Sequence, residues 1–376
     1  MNLGDVSMKR DIYFENMRET SRIVMPLIRE LYSEFQSTNP LLKNSLDLIL
    51  QRRIKNGECL LRPYLTRLSY EVSGGNYWRK IIKACAAMEI LNISTYQSNL
   101  AFDGKNGVIS NDEKNKQFIS SMISFDLAVK SIMKLSESFG KKIIFKIIER
   151  VYEVNTDIYI GQFYDLNNLN ISNLDFSMSL EEYQAVYIFR CEKLGGSLTS
   201  LCFEIGSLLA GSDNMTQNNI KEIGKLLGTA RQMINDIADF VTLNEEYEEP
   251  LIDIKNGKVT YPIFHLIKYG SSQYKQFILD FLNKDQQFKL DEMKKLTKIL
   301  YNSGSIRNFK KLIISYYKNL KEKVKKLPPS PERDLLSLSF SSLLTNKYFA
   351  ILRQYGYQEK YKGKRVECFN NFFLTA

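Results

Sequence analysis

The sequence predicts an all-α protein, and three observations carry that reading. Glycine and proline together make only 27 of 376 residues (19 and 8), well below the roughly 12 % of average usage, which excludes a collagen-like, low-complexity or turn-dense β chain. Apolar residues recur with a 3.6-residue period along most of the chain, whereas the alternation of a half-buried strand is almost absent. Hydrophobic residues reach 44 %, with 22 Phe and 22 Tyr, enough to fill a large core and to exclude disorder as the main state.

The elements follow in order. Ile23, Pro26, Leu27, Leu31 and Phe35 form a first helical stripe. Ile81, Ile82, Cys85, Met88, Ile90 and Leu91 form a second, on a helix that starts near Trp78 and closes at Asp103; Ile143, Ile144, Ile147, Ile148, Val151 and Tyr152 form a third. Breaks fall where turn chemistry sits: Asn56-Gly57, Gly74-Gly75, the polar run Gly104 to Gln117, the Asn-rich run Asp165 to Ser179, Gly211 to Asn214, Glu245 to Pro250, and Leu327 to Pro331. Ten or more helices are thereby separated. Two of the runs exceed a dozen residues, the length of a functional lid or a disordered stretch rather than a plain connector. The Pro-Pro-Ser-Pro run at 328–331 divides a main domain, 1–326, from an aromatic-rich helical extension, 327–376, expected to pack on the same domain.

Charge and cysteine content bound the setting. The net charge of +10 could mark a phosphate-bearing partner, but the lysines scatter and no run of five like charges makes a basic arm, so the excess reads as composition. No nucleic-acid recognition motif supports that class of partner. Cys59, Cys85, Cys191, Cys202 and Cys368 are odd in number and widely spaced, which indicates neither a disulfide framework nor a zinc site. With no apolar leader near Met1 and no stretch approaching a membrane span, the expected location is cytoplasmic.

The chemistry concentrates in a few short segments. In Gly228-Thr-Ala-Arg-Gln-Met-Ile-Asn-Asp-Ile-Ala-Asp239, Asn235 and Asp239 share a helix face and Asp236 is rotated by about 100° from the first. Met233, Ile234, Ile237, Ala238 and Phe240 are apolar on nearly every side, so the helix is buried and its carboxylates need a metal or a cation as partner. Asn99 and Asp103 repeat the spacing at the end of the helix from Trp78, followed by Lys105. Two oxygen-rich helix ends suit a hard cation such as Mg²⁺, which keeps waters and is bridged by substrate phosphates. Asp253, Lys258, Arg62-Pro63, Gly161-Gln162 and Lys193-Leu-Gly-Gly196 add carboxylate, amide and cationic groups beside turns.

In this order and spacing the segments resemble the trans-isoprenyl diphosphate synthase (polyprenyl synthetase) family over about residues 50 to 270. Gln232-Met-Ile-Asn-Asp-Ile-Ala-Asp239 resembles its second acidic motif, F-Q-x-x-D-D-x-x-D. Asp253 with Gly257-Lys258-Val-Thr260-Tyr-Pro262 resembles its G-K-x-T-x-P turn, and Asn99-Leu-Ala-Phe-Asp103 its first acidic motif. The resemblance implies an isoprenoid-synthase-type antiparallel helix bundle around a central cavity. It also implies about three Mg²⁺ ions on an allylic prenyl diphosphate, held by Asn99, Asp103, Asn235, Asp236 and Asp239. Arg62, Lys105, Lys193, Gln232 and Lys258 fall to the diphosphate, with Asp103, Asp236, Asp239 and Lys193 as the catalytic set. A homodimer, or a heterodimer with an active synthase, is implied as well.

The departures narrow the activity. Asn99 and Leu100 replace both leading aspartates of the first motif, and Asn235 the first of the second, which keeps oxygen ligands but removes charge. Cys59 stands where the family lysine binds isopentenyl diphosphate, Asn92 where His or Gln is expected, and Lys105 alone remains of an Arg-Arg pair. The expected activity is ionisation of an allylic diphosphate, then cyclisation or elimination as in a terpene synthase, or transfer to an acceptor other than isopentenyl diphosphate. Tyr96, Phe102 and Phe125 are candidate cation stabilisers. The alternatives are a non-catalytic subunit of a prenyl diphosphate synthase, or a chain-elongating synthase with relaxed motifs.

Overall fold

The computed structural model of the protein describes residues 3–39, 59–103, 110–241, 252–282 and 290–345. Its elements run α1 (Leu3–Thr38), α2 (Leu61–Val72), α3 (Ile82–Asp103), α4 (Asn111–Met133), α5 (Lys141–Phe163), α6 (Leu180–Cys191), α7 (Ser197–Ala210) and α8 (Asn214–Val241). After these come α9 (Tyr261–Tyr269), α10 (Ser272–Leu282), α11 (Leu290–Asn302), α12 (Ser305–Lys325) and α13 (Pro331–Thr345). Among the described residues the one strand-like pairing is an isolated antiparallel bridge between Asn170 and Lys258.

Two helices form the middle of the bundle, and their sequences explain why. In α7 every residue from Leu198 to Leu209 is buried, and in α3 the run Ala84–Leu91 is buried without a break, so both mainly apolar helices are surrounded, and they take Glu204 and Glu89 into the interior with them. α3 packs on α4, α2 and α1, while α7 packs on α8, α2 and α5. The outer helices bury one stripe each. On α1 that stripe is Met17, Val24, Ile28 and Leu31: Leu31 is buried as expected, while Val24 and Ile28 replace the expected Ile23 and Leu27, which are half-buried, and Pro26 is exposed. On α5 it is Ile144, Ile147, Val151, Val154 and Ile158, with Tyr152 turned outward.

Local chemistry sets the helix ends. Ser110 accepts from the Glu113 amide and starts α4, so the polar run from 104 is helical from Asn111 onward and shorter as a loop than its composition suggests. Ser179 and Glu182 form a reciprocal capping box at the start of α6. Gly211, at φ +72°, closes α7 in the left-handed region. The run from Asp165 to Ser179 is also more ordered than a lid: it opens with a π-helical turn at Tyr164–Asn168, and Ile171 N then donates to Gly257 O at 2.8 Å. The break at 327–331 separates α12 from α13, and α13 packs back on α1 and α2. The breaks at Asn56-Gly57 and at Glu245 to Pro250, and the chain from 346 on, lie outside the described residues.

Candidate active site

One end of the bundle gathers the chemistry. α3 and α5 both run toward it, ending in Asn99 to Asp103 and in Gly161-Gln162, and α7 starts from it beside Lys193. Two π-helical turns, Tyr164–Asn168 after α5 and Glu192–Gly196 before α7, carry Asp165 and Lys193 there. Such turns widen a helix locally and recur at functional sites. Below them a narrow cleft of about 10 Å³, room for a single water, lies between Leu91, Ser94 and Thr95 of α3, Val151, Val154, Asn155 and Ile158 of α5, and Leu198 and Leu201 of α7. Thr95 is one helical turn before Asn99, and Ile158 one turn before Gln162, so the cleft begins directly under the polar end.

A buried ionic chain spans that end. Arg190, 3 % exposed, donates from Nε to Asp165 Oδ1 at 2.7 Å and from Nη1 to Asp236 Oδ2 at 2.7 Å. The Tyr187 hydroxyl also donates to Asp236 Oδ2, and Gln232 Nε2 donates to its Oδ1 at 3.1 Å. Lys258 Nζ lies 2.5 Å from Asp165 Oδ2 and 3.5 Å from Asp253 Oδ1. The chain Asp236–Arg190–Asp165–Lys258–Asp253 thus ties α8 to α6, to the first π turn and to the segment before α9.

The backbone explains how Lys258 gets there. Asp253 opens a single helical turn, Ile252–Lys255, which closes with Lys258 N on Asp253 O and Gly257 N on Ile254 O, each at 2.8 Å. That paired geometry needs a left-handed residue at 257, supplied by Gly257 at φ +72°. The amide of Val259 then bonds Leu169 O, which fixes the turn against the first π turn. An aromatic layer backs it: Tyr183 stacks on Phe264 with centroids 3.7 Å apart, and Tyr261 on Phe309 at 5.2 Å.

Electrostatics divides the two carboxylates that share Arg190. Burial raises the pKa of both. For Asp165, Arg190 and Lys258 together outweigh burial and hold the carboxyl below its ordinary value. For Asp236, burial wins over the single guanidinium, the neighbouring Asp253 adds to it, and the pKa is raised. Tyr187 is pushed far up by burial and by Asp236, so it stays a hydrogen-bond donor.

The expected site residues fall in three groups. Asp236, Gln232 and Lys258 belong to the buried chain, and Asp236, expected among the metal ligands, has both carboxylate oxygens taken by protein donors. Lys193 is ion-paired with Asp157, Ser197 Oγ donates to the other Asp157 oxygen at 3.1 Å, and the ammonium lies 5.4 Å from the Phe189 ring centroid. Arg62, 8 % exposed, donates to the Thr199 hydroxyl, and Thr199 in turn bonds Gly195 O at 2.8 Å. Asn235 is exposed, while Asn99 is half-buried with an Oδ1 that is buried and accepts no hydrogen bond among the described residues. Lys105 and the side chains of Asp103 and Asp239 lie outside the described residues. Among those described, no three His, Cys, Asp or Glu side chains converge as a metal cluster. Tyr96 and Phe102, suggested as cation stabilisers, are 45 % and 43 % exposed on the outside of the bundle, and Phe125 meets Tyr152 there. Sequence reasoning missed Arg190, Asp165 and Tyr187; the available signal was Arg190, a lone charge closing the apolar run Ala185 to Phe189, whereas Asp165 sits in a polar run that does not mark it out.

Comparison with known proteins decides the family. The polyprenyl synthetase family model matches residues 113–300, half of the chain. The chain belongs to the polyprenyl synthetase family. It is 25 % identical to geranylgeranyl diphosphate synthase of Methanosarcina mazei over 293 residues, covering 77 % of this chain and 86 % of that one. Identity to the short chain isoprenyl diphosphate synthase of Methanocaldococcus jannaschii is 22 % over 254 residues, 64 % and 71 % of the two chains. The fold of this polyprenyl synthetase superposes on geranylgeranyl pyrophosphate synthetase from Pyrococcus horikoshii with a TM-score of 0.74 at 19 % identity, over 90 % of this chain and all of that one. The all-α isoprenoid synthase fold expected from the motifs is therefore the observed one. No helix among the described residues is long and apolar enough to cross a membrane.

Proposed function

We propose that this polyprenyl synthetase binds an allylic prenyl diphosphate with Mg²⁺, promotes loss of the diphosphate, and transfers the prenyl group to an acceptor other than isopentenyl diphosphate. The observation that carries this reading is the polar end of the bundle, where Lys193, Gln232 and Lys258 of the family-matching segments stand above a narrow cleft between α3, α5 and α7, which a prenyl tail must part to enter.

Oxygen donors of the type Mg²⁺ prefers are present. The buried Asn99 Oδ1 without a hydrogen-bond partner and the exposed Asn235 amide fit such a role, and Asp103 and Asp239 lie one turn beyond them in sequence. When bound, Mg²⁺ takes up charge developing on the departing diphosphate. Lys193 contributes a cation from the second π turn, its side chain 25 % exposed and held by Asp157 until a stronger anion arrives. Asp236 and Lys258 act from behind, by fixing α8 and the 253–260 turn through Arg190 and Asp165. Cys59, Asn92 and the neutral Asn99 and Asn235 weigh against isopentenyl diphosphate as acceptor. The relatives' names, geranylgeranyl and short chain isoprenyl diphosphate synthase, favour chain elongation as the second reading.

Incubation of the full chain with Mg²⁺ and geranyl, farnesyl or geranylgeranyl diphosphate, with and without isopentenyl diphosphate, separates these outcomes. Diphosphate release without isopentenyl diphosphate, lost in Asp239→Ala, is the expected result. A longer prenyl diphosphate formed only with isopentenyl diphosphate establishes elongation instead, and no turnover of any allylic substrate leaves the non-catalytic subunit. The same reading includes a homodimer, joined through the apolar outer face of α4 and α5.

A further inference from the structure

The net charge is not spread along the chain. The first 289 residues carry 34 Lys and Arg against 35 Asp and Glu; the remaining 87 carry 18 against 7, so the whole excess of ten arises after residue 289. The hairpin of α11 and α12, residues 290–326, alone holds eleven against three, about twice the cations its length would carry at the chain's average. A biased composition raises lysine everywhere and does not produce this asymmetry.

The fold turns that charge outward. α11 buries Leu296, Ile299 and Leu300, and α12 buries Ile306, Phe309, Ile313, Leu320 and Val324, with both helices packed on α8. The opposite side of α12 exposes Arg307, Lys311, Lys318 and Lys325 at steps of four, seven and seven, a single stripe about 27 Å long. On α11, Lys294 and Lys298 are exposed as well. Lys325 pairs with Glu322 at 2.7 Å, but among the described residues no carboxylate pairs with Lys294, Lys298, Arg307, Lys311 or Lys318.

We infer that the outer face of α11 and α12 docks the protein on an anionic lipid surface. Ten of the eleven cations are lysines, compact point charges suited to a diffuse field of headgroups, whereas recognition of individual phosphates or bases favours the planar fork of arginine. No aromatic side chain occupies an exposed position of α12, so the face has no platform on which single-stranded bases could stack. A lipid surface is also where a prenyl chain entering or leaving the cleft would partition. The basic face can bind whether or not the protein transfers a prenyl group, and vesicle binding is scored without turnover.

The test is flotation of the full chain with phosphatidylcholine vesicles, with or without about 30 % phosphatidylglycerol, at low salt and at about 0.5 M salt. The expected result is binding to the anionic vesicles alone, abolished by salt. Binding should fall on the order of 100-fold in Lys298→Glu/Arg307→Glu/Lys311→Glu/Lys318→Glu. A matched reversal elsewhere, Lys80→Glu/Lys114→Glu/Lys141→Glu/Lys142→Glu, should change binding by no more than a few fold. Circular dichroism confirms that both variants keep their helices, so loss of binding is not loss of fold. Equal binding to neutral vesicles, unchanged binding in the first variant, or binding of a single-stranded RNA by this face with no vesicle binding would each overturn the inference.

Discussion

At the scale of single residues, the site turns on how many cations a buried carboxylate can recruit. Asp165 has two, Arg190 and Lys258, and stays ionised below its ordinary range; Asp236 shares only Arg190 and is shifted the other way. Removing Asp165 leaves two buried cations facing too little negative charge, a change that costs about 3 kcal/mol or more when one partner of a buried pair is lost. Asp165→Asn should therefore lower the urea midpoint at pH 7 markedly. The pH dependence has a definite sign. Because the folded pKa of Asp165 lies below the ordinary 3.8, its contribution is present above about pH 3.8 and is lost as pH falls through the folded value. Asp236 runs opposite, since the folded protein takes up that proton before the unfolded chain does. The gap between parent and Asp165→Asn should accordingly narrow below pH 3.8, which urea unfolding at a series of pH values measures; a constant gap would assign the loss to packing instead.

At the scale of elements, the second π turn and α8 meet backbone to backbone. A Cβ on Gly195 would stand 2.5 Å from Gly228 O, and one on Gly228 would strike Gly195 O, so neither position admits a side chain without moving α8. Gly195→Ala should lower the melting temperature by the equivalent of about 1–3 kcal/mol, as overpacking of a tight crossing does, and calorimetry would register it. It should also weaken Lys193 and Asp236 together, since the crossing sets their spacing. This junction shows how far the sequence was legible. The α5 stripe, the breaks ending at Ser179 and starting at Gly211, and the acidic turn of α8 depend on neighbours within a few residues and were legible, whereas the α1 stripe was legible only in part, with Val24 and Ile28 buried in place of Ile23 and Leu27. Arg190 was not, because its partners lie 25 and 46 residues away and no local spacing announces them. Asn235 and Asp236 show the same limit: helix geometry separates the two side chains by about 100°, but only tertiary packing decides which one enters the ionic chain.

At the scale of the molecule, the bundle leaves an apolar face uncovered. Along α5, Phe145, Tyr152, Tyr159 and Phe163 are 71 %, 52 %, 42 % and 60 % exposed at steps of seven, seven and four, which is one helical stripe. Phe118, Ile119 and Met122 of α4 continue it, joined by ring contacts of Phe125 with Tyr152 at 5.2 Å and of Phe102 with Phe118 at 6.0 Å. Roughly half-exposed side chains of about 200 Å² each give on the order of 800 Å² of contiguous apolar surface, the area one partner of a stable dimer contributes. Monomers rarely expose so large a patch, and two antiparallel helices present a surface that can close on itself about a two-fold axis. Phe145→Glu/Tyr152→Glu should convert a dimer to a monomer in sedimentation experiments at micromolar concentration. Both side chains are outward in the isolated chain, so the variant's helices should melt cooperatively and vesicle binding through α11 and α12 should persist at reduced strength, because each particle then offers one basic face instead of two. A parent already monomeric in that experiment would leave the patch without a second copy to cover it.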